Sequence, residues 1–293
     1  MVINLRGRKF VRRRASWAGC NLLPFGFLLL SGCNWIVQTA QEMHLRGYDS
    51  DIKSATQAIG SAHSDGERAQ AYSKRGSAYS EKARYSRAFK LIKEDEYERL
   101  FDLAVKDHDE AIALDPVSAE VYFNRGQAYY DRGSLDLTEH KMPSEWLDHA
   151  AADFETATEK NPHNFMAFDM LGLTHESNDE WDMAIHDYTR EMAINPLGKV
   201  RLAGAYCGRG QENQRKMKLD AAAADYERSI DVDPTPDSDG CSCESYNSAL
   251  GIYTFDTKEY DKAWEIVHKA EKSKQQISGE LVDALKKASG RSS

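Results

Sequence analysis

The 293-residue chain is 41% hydrophobic and 29% charged, a balance that supplies a folded core and excludes an intrinsically disordered chain. Residues 1–32 hold Arg6, Arg8, Lys9, Arg12, Arg13 and Arg14 and no acid, so the remainder sets 32 basic side chains against 47 acidic ones, a net of −15. Affinity for nucleic-acid phosphates comes mainly from basic side chains, so no nucleic-acid partner is expected.

The basic stretch ends at Arg14 and is followed by an apolar segment from Ala15 to Leu30, interrupted by Asn21 and Pro24. It is too short and broken for a comfortable membrane span of about 20 apolar residues. The order basic, apolar, small reads as an export signal. The segment closes in Leu30-Ser31-Gly32-Cys33, which resembles the lipobox of bacterial lipoproteins. That resemblance implies cleavage before Cys33 and acylation of its thiol and of the new amino group. Several acyl chains hold a protein firmly, each buried methylene contributing about 0.8 kcal/mol. Asn34 is not the aspartate that this family links to inner-membrane retention. The resemblance therefore implies a lipid-anchored protein of the bacterial outer membrane, facing the periplasm. On this reading residues 1–32 are a signal peptide and 33–66 a lipidated N-terminus carrying one solitary helix, marked by Ile52, Ala55, Ala58 and Ile59.

From about residue 67 a pattern recurs: an aromatic or apolar residue, Gly, Ala, a bulky residue and Pro. Its copies are Tyr72-Gly76-Ala104-Ala111-Pro116, Tyr122-Gly126-Ala150-Phe154-Pro162, Phe168-Gly172-Ala184-Tyr188-Pro196, Tyr206-Gly210-Ala222-Tyr226-Pro234 and Gly251-Ala263-Val267-Ala270. The Ala-to-Pro separation is 12 residues wherever the proline is present, and the Gly-to-Ala separation is 12 in the last three copies. These distances fit two short helices joined by a turn, and they resemble the tetratricopeptide (TPR) repeat. The resemblance implies an all-α, right-handed superhelix of about five repeats over 67–275 (about 69–118, 119–164, 165–198, 203–236 and 244–275), with a C-terminal capping helix and tail at 276–293. A glycine inside a helix costs up to about 1 kcal/mol relative to alanine, so five in one register are expected where helix A meets the small alanine of helix B. Asp115-Pro116, Asn161-Pro162, Asn195-Pro196 and Asp233-Pro234 should end each helix B, because proline pushes its predecessor out of helical geometry. The terminal helices cover exposed apolar edges.

Repeats one and two depart from this spacing, with 28 and 24 residues between glycine and alanine. Tyr85, Phe89, Ile92, Tyr97 and Leu100 predict a lengthened hairpin in the first, with Ala88 as a competing contact residue. Gly133, Met142 and Pro143 predict a loop in the second. Both insertions fall at the same turn, and so on one edge; they are either a partner contact or a tolerated extension.

In TPR arrays the first helices line a groove that holds a peptide. The matching positions here are Ser73, Ser77, Phe123, Gln127, Tyr130, Asp169, Glu176, Gln211, Arg215, Ser248 and Phe255. The Lys and Asn pair with which some members clamp a C-terminal carboxylate is missing in repeat one, which argues against a chaperone-tail receptor. Aromatics, amides and acids point to a polypeptide with apolar anchors and basic character.

No catalytic motif stands out, and neither a cofactor nor a metal is expected. Asp237-Ser238-Asp239-Gly240 fails as a calcium loop, because Thr235 and Tyr246 occupy its first and last ligand positions. His108 falls at the bulky position of its repeat, and His175 follows a groove stripe. Export permits disulfides, and Cys207 could pair with Cys241 or Cys243. The layout is similar to that of outer-membrane TPR lipoproteins that tether or assemble envelope proteins. It implies a membrane-anchored scaffold or adaptor that is not an enzyme, or a non-catalytic subunit presenting substrate to an envelope enzyme, protease or secretion complex. The oligomeric state is open.

Overall fold

The computed structural model describes residues 25–133, 144–234 and 241–291, with backbone alone for 25–38, 40, 144 and 241–243. The chain divides into two units, Met1–Arg46 and Gly47–Ser293. In the first, the helix that begins at Phe25 carries an Arg46–Glu42 pair one turn apart at 3.7 Å. Cys33 and Asn34 are described by backbone alone, inside that helix. Among the described residues every regular element is helical.

Twelve α-helices follow one another among the described residues: α1 (Phe25–Ser61), α2 (Asp65–Ala88), α3 (Glu94–Leu114), α4 (Ala119–Gly133), α5 (Ser144–Lys160), α6 (Phe165–Ser177), α7 (Trp181–Ile194), α8 (Lys199–Arg215), α9 (Leu219–Val232), α10 (Cys241–Gly251), α11 (Tyr260–Lys272) and α12 (Gly279–Ser289). From α2 to α11 they form five antiparallel-type pairs, each packed against the next. Among the described residues first helices also approach one another (α2 with α4, α4 with α6, α8 with α10), more closely than successive second helices do. The first helices therefore occupy the inner arc of the superhelix.

Local chemistry sets the helix ends. Ser64 Oγ accepts from Glu67 N–H at 3.2 Å while Glu67 accepts from His63 N–H at 2.8 Å, a reciprocal cap that starts α2. Asp115, Asn161, Asn195 and Asp233 each end a second helix with a backbone bond to the carbonyl four residues back. The side chains of Asp115, Asn161 and Asn195 then accept from the N–H two residues on, at 3.2–3.3 Å. The Asx-Pro dipeptide thus closes one helix and, through an Asx turn, launches the next connection.

The glycines meet helix B, nearest at its bulky residue, and Gly76 also at the expected alanine, where Ala104 O would lie 3.0 Å from an added Cβ. A Cβ on Gly172 would lie 2.6 Å from the Tyr188 ring, one on Gly210 3.0 Å from Tyr226, one on Gly126 3.0 Å from Phe154, and one on Gly76 2.9 Å from His108. Each partner is the bulky residue four positions after the alanine. The alanine itself is buried (Ala104, Ala150, Ala184, Ala222, all fully), and the ring lies over the glycine. The expectation of five such glycines also needs correction: nothing lies within 4 Å of a Cβ at Gly251, because α10 ends there and the chain continues as a π turn, Ile252–Asp256.

The first insertion lengthens its hairpin, with α2 and α3 at 24 and 21 residues. The added turns hold Ala83, Ile92, Tyr97, Leu100 and Phe101 together, and Ala88 is exposed. Ala104, not Ala88, is the contact residue. The second insertion's loop lies outside the described residues. Repeat four begins earlier than expected, because residues 199–202 belong to α8.

Both ends of the stack are covered. Residues 47–61 of α1 bury Ala55 and reach α2 through Thr56–Arg75 (3.3 Å), Asp49–Lys82 (2.7 Å) and the Tyr48–Tyr85 ring pair (5.9 Å). At the other end Leu285 of α12 is fully buried in the last core cluster, flanked by Ile277, Leu281 and Val282. Burying one such side chain stabilises by about 1.5–3 kcal/mol. Trp264 Nε1 donating to Ser289 Oγ at 3.2 Å ties α12 down.

Candidate functional site: the inner face of the first helices

Of the predicted groove residues, several form rungs between successive first helices. Tyr130 on α4 bonds Ser177 on α6 at 3.2 Å. Asp169 on α6 takes Arg201 Nε of α8 at 3.1 Å. Gln211 on α8 donates to Glu244 on α10 at 2.9 Å. Glu176 instead accepts from the Tyr188 hydroxyl of its own repeat at 2.8 Å, and Ser248 is hydrogen-bonded to Tyr226. Arg215 pairs with Glu212 at the exposed end of α8.

Others are less available than the spacing implied. Ser73 is buried and lines a cavity of about 270 Å³ with Gln70, Asp115 and Val121. Ser77 lines one of about 420 Å³ between α1 and α2 with Tyr48, Ala55 and Glu81. Phe123 packs its ring on Phe154 at 5.7 Å and belongs partly to the core. Gln127 is half-buried, and Phe255, on the π turn, is 56% exposed. Near Tyr130, burial pushes the Asp131 carboxyl up to about 6.

Cys207, fully buried on α8, is disulfide-bonded. Cys241 and Cys243 lie at the start of α10, where side chains are outside the described set, as is the loop Asp237–Gly240.

A second set of residues went unread in the sequence. Arg75, Arg125 and Arg209 each precede the repeat glycine, and each forks onto the aspartate preceding the bulky residue. Arg75 binds Asp107 at 2.7 Å twice, Arg125 binds Asp153 at 2.7 and 2.8 Å, and Arg209 binds Asp225 at 2.5 Å. Two of them also reach back to the preceding repeat, Arg125 to Asp109 at 2.6 Å and Arg209 to Asp182 at 2.5 Å. Bidentate pairing of this kind is the strong form of the ion pair. The signal was present as Arg before Gly and Asp before the ring in three copies. In repeat three Leu171 stands in the arginine's place, and His175 Nδ1 bonds Asp187 at 2.8 Å instead.

Residues 101–133, spanning the end of α3 and all of α4, match the sequence profile of the TPR repeat. Those residues carry a TPR repeat, and the described helices around it form an all-α repeat superhelix. Among solved structures, the crystal structure of MamA is 21% identical over 62% of this chain and 95% of its own, with a TM-score of 0.39. YrrB, described as a TPR protein with an unusual peptide-binding site, is 19% identical over 72% and 91%, with a TM-score of 0.39. A thermophilic TPR protein from Thermus thermophilus is 16% identical over 69% and 99%, at 0.35. No curated protein matches the sequence.

Proposed function

We propose that this protein is a membrane-anchored scaffold of the bacterial cell envelope that binds polypeptide partners along the inner face of its TPR stack. The observation that carries the reading is the run of aromatic, amide and acidic side chains (Phe123, Gln127, Tyr130, Asp169, Glu176, Gln211) on successive first helices. Rungs between those helices hold the face in place before a ligand arrives. A prepared surface binds at lower entropic cost than one that must be ordered, and rigid aromatics are efficient anchors. The anchor is Cys33, acylated at the Leu30-Ser31-Gly32-Cys33 site, with the outer membrane and the periplasmic side as the location. Among the described residues no helix is long and apolar enough to cross a membrane. The disulfide of Cys207, with Cys241 or Cys243 as partner, would tie α8 to the start of α10.

Crosslinking followed by affinity recovery from membranes tests the binding reading. Phe123→Ala with Tyr130→Ala should lower recovery of bound polypeptides about tenfold while the protein stays folded; equal recovery would remove the groove from the account. Metabolic labelling with a fatty acid tests the anchor: label on the wild type and none on Cys33→Ser is expected, and equal label on both would sink it.

A further inference from the structure

Helix α7 breaks the pattern of its repeat at one position. Seven residues after the helix-B alanine the other repeats carry Ala111, Ala157, Ser229 and Ala270, all buried; repeat three carries Glu191, 3% exposed. Room for the longer side chain comes from Gly198, where an added Cβ would lie 2.7 Å from the Glu191 carboxyl carbon. Asn195 Nδ2 donates to Oε1 at 3.3 Å, and Oε2 is buried with no hydrogen-bond partner. A buried acceptor in that state costs stability, and a small residue, Ala157 or Ser229, serves at the same place in the neighbouring repeats.

The glutamate joins the groove acids. It lies within electrostatic reach of Asp169 and Arg201, and Arg201 within reach of Asp169, Glu176 and Glu191. Burial first, then the charge of Asp169, pushes the Glu191 carboxyl above the usual carboxylate range. Three carboxyl groups thus share one guanidinium, and that guanidinium is already engaged with Asp169 at 3.1 Å.

We propose that Asp169, Glu176 and Glu191, between α6 and α8, form a subsite for a lysine or arginine side chain of the bound polypeptide. The proposal rests on the groove reading above and names the ligand chemistry of its central stretch. An ammonium or guanidinium group brings both the missing donor and the missing charge. Asp169 and Glu176 stand at groove positions where such a side chain would arrive. On the groove reading, the cation that suits these acids is one carried by a polypeptide.

The test uses the full chain in detergent and a fluorescein-labelled dodecapeptide of alternating leucine and lysine, with the glutamine-for-lysine peptide beside it. Fluorescence anisotropy should show the lysine peptide binding at least tenfold more tightly. Asp169→Asn and Glu191→Gln should each remove most of that preference. Glu110→Gln, the same charge change at an exposed site on α3, should leave it intact. Glu191→Ala, which installs the residue of repeats one, two and five, should raise Tm while losing the preference. Absence of any preference in the wild type overturns the proposal, as do equal losses in all three charge variants, which would mark a general attraction to an acidic protein. If Phe123→Ala with Tyr130→Ala weakens both peptides while the acid variants change nothing, the subsite falls and the groove stands. If neither set has an effect, the groove itself falls.

Discussion

Repeats two and three place the same two helices in the same relation, yet fill equivalent positions with opposite chemistry. In repeat two the residue before the glycine is Arg125, locked onto Asp153, whose side chain is 6% exposed, and the small position is Ala157. In repeat three those places hold Leu171 and Glu191, and Asp187 is served by His175. The backbone is indifferent to the exchange because the glycine-ring contact survives in both, Gly126 on Phe154 and Gly172 on Tyr188. Close packing fixes the pair of helices; the polar clamp beside it is variable. Repeat five carries this furthest, with Leu250 and Ile266 at the two clamp positions, both buried in the core.

Arg125 is where exchanging the two chemistries costs most. Replacing it by leucine, as in repeat three, leaves Asp153 buried without its cation and releases Asp109 as well. Removing one partner of a buried pair costs about 3–5 kcal/mol. Arg125→Leu with Asp153→Ile, the pair found in repeat five, should recover most of that loss, since apolar replacement of a whole buried pair is often neutral. Urea unfolding of the three proteins checks both statements. A double variant no more stable than the single one would mean that the clamp is not interchangeable with an apolar contact.

Repeat one differs from repeat two at the ring position itself. Where repeat two has Phe154, it has His108, fully buried against Gly76 with neither ring nitrogen hydrogen-bonded. Burial, and then the charge of Arg125, holds its pKa down to about 4. A folded-state pKa below the unfolded value of about 6.5 means that folding favours the neutral ring. Stability is then fully present above pH 6.5 and is lost as the pH falls toward 4, by about 3 kcal/mol. His108→Phe should abolish this loss, so unfolding curves of the two proteins should diverge between pH 6.5 and 4 and run parallel above. Carboxylates that titrate in the same range affect both proteins alike and cancel in the difference.

What the sequence made legible follows the same division. Helix pairs, their order and the caps were readable because glycine, alanine and Asx-Pro recur at fixed offsets, and each has a steric reason to do so. The contact of Gly172 with Tyr188 rather than Ala184 was not, since spacing says which residues share a face and not how far a ring reaches. The arginine clamps escaped because Arg before Gly, on a helix with many charges, looks like any solvated residue until its aspartate is seen beneath it. Glu191 escaped for a different reason: one glutamate in an alanine register reads as a substitution on an exposed turn, and its burial depends on Gly198 in the following connection. Among the groove residues, helix position was legible for Tyr130 and Asp169, but the withdrawal of Phe123 onto Phe154 required the packing of α5.

The smallest effect separates the two kinds of clamp by pH. Burial pulls the pKa of His175 down, but the hydrogen bond and charge of Asp187, with Glu180 on the following turn and Glu155 on α5, more than offset it and leave it above the usual value. His175 is 4% exposed, its Nε2 4.0 Å from Glu180, and Asp187 is also approached by His186 at 3.1 Å. A raised folded-state pKa reverses the sign found at His108. The contribution is fully present below the unfolded pKa of about 6.5 and is lost as the pH rises through the folded value. The neutral ring still donates from Nδ1 to Asp187, so only the charge assistance disappears, about 1 kcal/mol. Amide hydrogen exchange should therefore show α6 and α7 opening more readily at pH 8.5 than at pH 6, after correction for the intrinsic rate, while α4 and α5, held by an arginine that stays charged, keep their protection. His175→Gln keeps a donor to Asp187 without a titrating proton, and should flatten the dependence in α6 and α7; an unchanged pH profile in that variant would show that the clamp in repeat three is not what titrates.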